Sequence, residues 1–144
     1  MANSSKEIKC VVWDLDNTLW EGTLLEDEEV RLKPEIEALI DELDGRGILH
    51  SIASKNDYDL AMGKLREFGI ERYFLYPEIH WNPKSSSVAR IQKNLNIGMD
   101  TLLFIDDQPF ERDEVQSVHA EVTCVDADAY LGLLDDPRLN PRYI

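Results

Sequence analysis

The stretch VVWDLDNTLW, residues 11–20, places two aspartates directly after an apolar run. The apolar residues predict a buried strand over 9–14, yet a buried strand needs no carboxylates at its tip. Asp14 and Asp16 are two residues apart, and such side chains point the same way in an extended segment. By itself the pair is also compatible with an ordinary strand-to-loop turn. The alternative is a strand end that presents two carboxylates to one site.

Composition limits the class of protein. The 144 residues fit one domain over 1–144, and an apolar fraction of 43% is typical of a globular core. The net charge of −14 argues against nucleic-acid binding, which requires a basic surface. No apolar run is long enough to span a membrane, and the start MANSSKEIK lacks a signal region. Cys10 and Cys124 are best explained as core thiols, which favours a cytoplasmic protein with no membrane partner.

Strand-like and helix-like segments alternate along the chain. Strands are predicted over 9–14, 47–54, 101–106 and 120–126, with a short strand or extended segment over 72–79, and helices over 34–46, 57–68, 84–95 and 109–118. This alternation predicts an α/β fold, a doubly wound, Rossmann-like, mainly parallel sheet of about five strands. Residues 17–33 have room for a small hairpin but no large cap domain. Residues 127–144 are a possible tail, or a bridge to a further domain.

Polar residues cluster where the predicted strands end. In a doubly wound sheet the ligand site lies beyond the carboxyl ends of the strands. The residues concerned are Asp14 and Asp16, then Ser54, Lys55 and Asn56, then Lys84, and finally Asp106 and Asp107. Taken singly, each has an ordinary explanation as a helix cap, a turn residue or a surface lysine. Together, four carboxylates require a hard cation, and oxygen ligands suit Mg²⁺. Ser54 and Lys84 add donors for an anion, such as a transferring phosphoryl group.

These motifs resemble, in content and in order, those of the haloacid-dehalogenase (HAD) superfamily of phosphotransferases. The resemblance rests on DLDNT at 14–18, Ser54, Lys84 and DD at 106–107. It implies that Asp14 is a nucleophile that forms an aspartyl-phosphate, and that Asp16 is the general acid and base. The implied phosphate-binding residues are Ser54, Lys55, Asn56 and Lys84. The implied Mg²⁺ ligands are Asp14, the carbonyl of Asp16, Asp106 and Asp107. Within the acidic pair, Asp107 is favoured as the direct ligand.

Finer motifs resemble the capless FkbH-like branch, which is similar to magnesium-dependent phosphatases. They are SKND at 54–57, HWNPK at 80–84 and FIDDQPFERDEV at 104–115. Members of this branch occur in polyketide and related pathways, where they dephosphorylate a glycerate phosphate and load the glyceryl group on an acyl carrier protein. The implied partners are a phosphorylated small molecule or a carrier-bound phosphate.

One residue departs from the pattern of the glyceryl transferases. They carry a cysteine directly before SKND, and here that residue is Ala53. We therefore expect an HAD-type phosphatase, with glyceryl transfer as the alternative. A second alternative is a phospho-accepting regulatory domain. Receiver-type signalling domains have the same groups around Mg²⁺, but the acidic pair comes first in their chains and the lysine last, which is not the order here.

Overall fold

The computed structural model describes residues 7–140. Residues 1–6, which hold most of the polar start, and residues 141–144, which end the predicted tail, lie outside the described range. In chain order the elements are β1 (Cys10–Trp13), β2 (Trp20–Glu21), β3 (Arg31–Leu32), α1 (Ile36–Gly45), β4 (Leu49–Ser54), α2 (Tyr58–Glu67), β5 (Glu78–Ile79), α3 (Lys84–Leu95), β6 (Leu102–Asp106), α4 (Pro109–Val118) and β7 (Thr123–Asp126). Further 3-10 helices cover Glu71–Tyr73, Met99–Thr101, Ala127–Asp135 and Pro137–Leu139.

The strands form a parallel sheet in the order β5-β4-β1-β6-β7, with β1 at the centre. This confirms the predicted α/β fold. Strands β2 and β3 form a separate antiparallel hairpin, which is the small hairpin expected within residues 17–33. No helix in the described part of the chain is long and apolar enough to cross a bilayer.

Both faces of the sheet are covered, because successive side chains of β1 are buried on opposite sides. Val11 and Trp13 pack with the buried faces of α1 and α2. Cys10 and Val12 pack with α3 and α4. All four residues of β1 are fully buried. A central strand without a solvent-facing side explains why the start of the quoted stretch is apolar throughout and does not alternate.

The strand predicted over 72–79 is much shorter than expected. Residues Glu71–Tyr73 form a 3-10 helix, and only the two residues of β5 pair with β4. Tyr76 adopts a positive φ of 51°, and Pro77 has no N–H to donate to a ladder. Together these two residues interrupt an otherwise apolar, strand-like segment.

The start of the first helix also differs from the prediction. Pro34 was expected in the first turn, but α1 begins at Ile36, and the residue before it, Glu35, has a left-handed φ of 63°. Other helix bounds agree within about two residues. Asp57 caps α2 by accepting a hydrogen bond from the Leu60 N–H, and Gly69, at φ 75°, follows the end of that helix.

Residues 127–140 pack against the sheet rather than leaving it. Tyr130, Leu133 and Leu139 are buried in the same cluster as α1. The Arg46 guanidinium donates to the carbonyl oxygens of Leu134 (3.1 Å) and Leu139 (3.0 Å). The described part of the predicted tail therefore covers one face of the sheet.

Leu133→Ala is expected to lower the free energy of unfolding by about 2–5 kcal/mol, because it leaves a cavity where the 3-10 helix meets the core. The matched control is Leu131→Ala in the same helix, where the side chain is 49% exposed and the change is expected to stay within about 0.5 kcal/mol. Urea denaturation followed by circular dichroism measures both. Equal effects would contradict the packing of this segment.

Candidate active site

A tight turn after β1 builds the first part of the site. The main-chain carbonyl of Leu15, whose side chain is buried, accepts hydrogen bonds from the N–H groups of Thr18 (3.0 Å) and Leu19 (2.9 Å). Asn17 takes the left-handed conformation that this turn needs, with φ 57°. The turn brings the Thr18 hydroxyl back over the carboxylate of Asp14. The DLDNT motif is thus a strand end followed by a folded-back loop.

Asp14, Asp106 and Lys84 form a buried charged cluster. Lys84 Nζ lies 2.9 Å from Asp14 Oδ1 and 2.6 Å from Asp106 Oδ2. Asp14 and Asp106 end adjacent parallel strands, and Lys84 is the first residue of α3. Lys84 is only 4% exposed. Its ammonium group therefore contacts these two carboxylates in place of water.

Burial and crowding change the acidity of all three groups. Burial raises the pKa of Asp14 to about 6, with Lys84 opposing this and Asp107 adding to it. Burial and the charge of Asp14 raise the pKa of Asp106 to about 6, again against the pull of Lys84. Burial alone would lower the pKa of Lys84, but attraction to the two aspartates leaves it raised. Near neutral pH the cluster therefore holds two carboxylates beside one ammonium group.

Thr18 links the two halves of the acidic cluster, and the sequence-based site did not include it. Its hydroxyl lies 3.0 Å from Asp14 Oδ2 and 3.3 Å from Asp107 Oδ1, and it accepts a hydrogen bond from the Asp107 N–H (3.2 Å). A hydroxyl has one proton, so it donates to one carboxylate at a time. The available signal was a hydroxyl residue four positions after Asp14 in the motif.

Asp16 occupies a different environment from Asp14. Its Oδ1 accepts hydrogen bonds from the Trp20 indole (3.0 Å) and the Leu24 N–H (2.9 Å), and its Oδ2 accepts one from the Asn56 amide (3.0 Å). These three hydrogen bonds hold the carboxylate in one orientation. The Asn56 side chain, predicted to bind phosphate, is thus directed at Asp16, and its role toward phosphate stays a prediction.

A cavity of about 260 Å³ opens at this edge of the sheet. Five of the predicted site residues line it, Asp14, Asp16, Lys55, Lys84 and Asp107, together with two acids that sequence reasoning missed, Glu26 and Glu111. Ser54 is buried at the end of β4, and its main-chain carbonyl accepts from the His80 N–H (3.1 Å). Lys55 Nζ pairs with Glu111 Oε2 at 3.2 Å. Glu111 lies in the first turn of α4, where its only sequence signal was that of an acid favoured near a helix N-terminus.

The same cluster fits a divalent metal ion. Within residues 7–140, carboxylate oxygens of Asp14, Asp106 and Asp107 lie within 4.8 Å of one another. All of these ligand atoms are oxygen. The single positive charge of Lys84 does not balance the three carboxylates, and oxygen ligands with excess negative charge are what Mg²⁺ prefers. Asp106 is fully buried and is not among the residues that line the cavity, whereas Asp14 and Asp107 line it, so these two are better placed as direct ligands. The predicted ligation by the Asp16 carbonyl stays a prediction.

No family model and no curated protein sequence matches this chain. Solved structures do. One is the N-terminal part of a Bacteroides fragilis protein containing a phosphatase domain complexed with Mg, with a TM-score of 0.80 at 29% identity over 97% of this chain. Another is a HAD-superfamily hydrolase of subfamily IA from Geobacter sulfurreducens, with a TM-score of 0.68 at 15% identity, covering 83% of this chain and 89% of that one. The chain has the HAD fold.

A third HAD-type neighbour is the 3-deoxy-D-manno-octulosonate 8-phosphate phosphatase of Moraxella catarrhalis, in complex with magnesium and phosphate ions and KDO. It has a TM-score of 0.61 at 19% identity and covers 78% of this chain and 64% of that one. The structural neighbours are thus HAD-superfamily phosphatases and hydrolases, two of them complexed with magnesium. The present chain spans 42% of the Bacteroides fragilis chain.

Mg²⁺ is expected to raise the free energy of unfolding strongly at pH 7.5 and little at pH 5. At a concentration of 100 times Kd the increase at pH 7.5 is about 2.7 kcal/mol. Below pH 6 the increase fades, because protons bind Asp14 and Asp106, whose pKa values are about 6 in the folded protein. Urea denaturation with and without Mg²⁺ measures the increment at each pH.

Two controls accompany the measurement of this increment, the increase in the free energy of unfolding caused by Mg²⁺. In the metal-free protein the buried His50, whose pKa is lowered to about 4, favours unfolding as pH falls, while the raised pKa values of Asp14 and Asp106 act in the opposite direction. The His50 contribution is the same with and without Mg²⁺ and cancels in the increment. Asp107→Asn should abolish the increment, whereas Asp44→Asn, on the exposed surface of α1, should preserve it. A pH-independent increment would contradict binding at these carboxylates.

Proposed function

We propose that the chain is a Mg²⁺-dependent phosphohydrolase that works through an aspartyl-phosphate on Asp14. One observation carries the proposal: the Asp14 carboxylate is held at the end of the central strand, between Lys84 and Thr18, and lines the cavity. Both contacts fix the carboxylate in one orientation, as a nucleophile requires. The HAD fold of the structural neighbours supports the same chemistry.

In the first half of the reaction, a carboxylate oxygen of Asp14 attacks the phosphorus atom and the bond to the leaving oxygen breaks. Asp16, when protonated, donates its proton to that oxygen, so that a neutral alcohol leaves. Lys84 keeps Asp14 oriented and places positive charge beside the transferring group. Ser54, Lys55 and Asn56 remain the proposed phosphate-binding residues on the side of β4.

In the second half, Asp16 removes a proton from a water molecule that attacks the phosphorus atom of the aspartyl-phosphate. The P–O bond to Asp14 breaks, phosphate is released and Asp16 is again protonated. The three hydrogen bonds that Asp16 accepts hold its carboxylate in one orientation, which suits this base step. A Mg²⁺ ion held by Asp14 and Asp107 would supply positive charge to the phosphoryl oxygens in both halves.

Asp14→Asn is expected to abolish release of phosphate from p-nitrophenyl phosphate, because an amide is a poor nucleophile. Asp16→Asn is expected to slow turnover by about 10²–10⁴-fold, since the leaving group lacks its acid and the water lacks its base. Asp44→Asn is the matched control and should behave as wild type. Phosphate release and intact mass, which detects an added phosphoryl group, measure the two effects.

Other outcomes would decide against the proposal. Full activity of Asp14→Asn, or activity that survives chelation of Mg²⁺, excludes the mechanism. A long-lived phosphoryl group on the wild-type protein without turnover would favour a phospho-accepting regulatory domain instead.

Glyceryl transfer is the alternative that the FkbH-like resemblance raises, with an acyl carrier protein as partner. It needs a nucleophile that holds the acyl group, and the residue before Ser54 is Ala53, a fully buried alanine. Burial raises the pKa of the Cys10 thiol to about 12 and that of Cys124 to about 11, so both remain protonated. These features support hydrolysis over transfer.

Incubation with a glyceryl phosphate donor, with and without a carrier protein, is therefore expected to release phosphate and leave the mass of the chain unchanged. Intact-mass spectrometry is the measurement. A glyceryl adduct on Cys10 or Cys124 would restore the transferase assignment. The polyketide or related pathway, the cytoplasmic location and the limits of the domain at 1–144 remain predictions of the sequence.

A further inference from the structure

The mouth of the cavity contains an acid that the proposed reaction does not use. The side chain of Glu111 lines the cavity and is 7% exposed. Its Oε2 pairs with Lys55, but its Oε1 is buried and has no hydrogen-bond partner among the described residues. A buried carboxylate oxygen without a donor is costly, and a donor on a bound molecule would remove that cost.

One aromatic side chain, Trp81, lines the same cavity, and another, Phe110, lies near Lys55. The ammonium group of Lys55 lies 5.9 Å from the centre of the Phe110 ring, and Phe110 is 68% exposed. Trp81, which also lines the cavity, is 63% exposed. Faces of aromatic rings attract cations. Lys55 therefore already pairs with a carboxylate and lies near a ring, and Trp81 offers a further ring within the cavity.

The charge around the cavity is unfavourable for anions. Of its lining residues, Asp14, Asp16, Glu26, Asp107 and Glu111 are acidic, and only Lys55 and Lys84 are basic. Lys84 is already paired with Asp14 and Asp106. A metal ion and the phosphate of a substrate bring opposite charges and nearly offset each other. A further negative group on the substrate would meet an excess of carboxylates at short range.

We propose that Glu111 and Trp81 form a leaving-group subsite that selects small phosphomonoesters carrying an ammonium group and disfavours those carrying a second anionic group. The ammonium donates to the Glu111 carboxylate and lies beside the Trp81 ring. The cavity of about 260 Å³ restricts the ester to a small one. This proposal rests on the proposed phosphatase function and narrows its substrate class.

A matched series of esters tests the proposal: 2-aminoethyl, 2-hydroxyethyl and 2-carboxyethyl phosphate, which share an ethyl linker and end in an ammonium, a hydroxyl or a carboxylate group. The expected order of kcat/KM is amine, then hydroxyl, then carboxylate, with at least about tenfold between the first and last. p-Nitrophenyl phosphate serves as the reporter of turnover itself. A flat or reversed order, with the reporter hydrolysed, overturns the subsite and leaves the phosphatase function standing.

Two variants should shift the ratio of amine to carboxylate in opposite directions. Glu111→Gln keeps the shape but removes the charge, so the ratio should fall about tenfold. Lys55→Met removes the competing ammonium, so the ratio should rise. Glu37→Gln, an exposed acid on α1, is the matched control and should leave the ratio unchanged. Because each result is a ratio within one protein, a loss of total activity does not obscure it.

Binding gives a test that is independent of turnover. Calorimetry of the three esters against Asp14→Asn protein with Mg²⁺ should give the tightest Kd for the amine. If the reporter is not hydrolysed by wild type, the phosphatase function fails, yet this order of Kd still decides the subsite. Equal Kd values, or the tightest Kd for the carboxylate, would overturn it.

Discussion

The buried contact of Lys84 with Asp14 and Asp106 is the interaction on which the site depends. Parallel pairing of β1 with β6 puts two carboxylates side by side at one edge of the sheet, and burial makes their ionisation costly. A lysine reaching between them is what makes ionised carboxylates tolerable there. The start of α3 and the loop before it must therefore stay where they bring Lys84 under the strand ends.

The turn that follows β1 gives two nearby carboxylates different properties. Asp14 is buried against Lys84 and Thr18, whereas Asp16 is partly exposed and accepts hydrogen bonds from the hairpin and from Asn56. Placing titratable groups in distinct environments is a general way to separate a nucleophile from an acid–base catalyst. The hairpin of β2 and β3 is thus part of the site, because Trp20 at its base donates to Asp16.

Because residues 7–140 contain no large cap, short loops form the borders of the cavity. The cavity is bordered by residues that follow β4, precede α3 and open α4, and these contribute Lys55, Trp81 and Glu111 respectively. None of these side chains belongs to the buried cluster around Asp14. Substitutions at the mouth can therefore change the lining of the cavity without disturbing the contacts that hold Asp14.

The amino-acid sequence by itself determined the alternation of strands and helices, because hydrophobic periodicity is a local property of the chain. It also determined that Asp14, Asp106 and Asp107 lie at one edge of the sheet, because the carboxyl ends of parallel strands meet at the same edge. Only the tertiary structure decided which donors meet which acceptors. Thr18 contacts Asp107 across 89 positions of sequence, and Asn56 contacts Asp16 across 40. Such pairs depend on strand register and loop conformation, to which many distant residues contribute and which no single motif encodes.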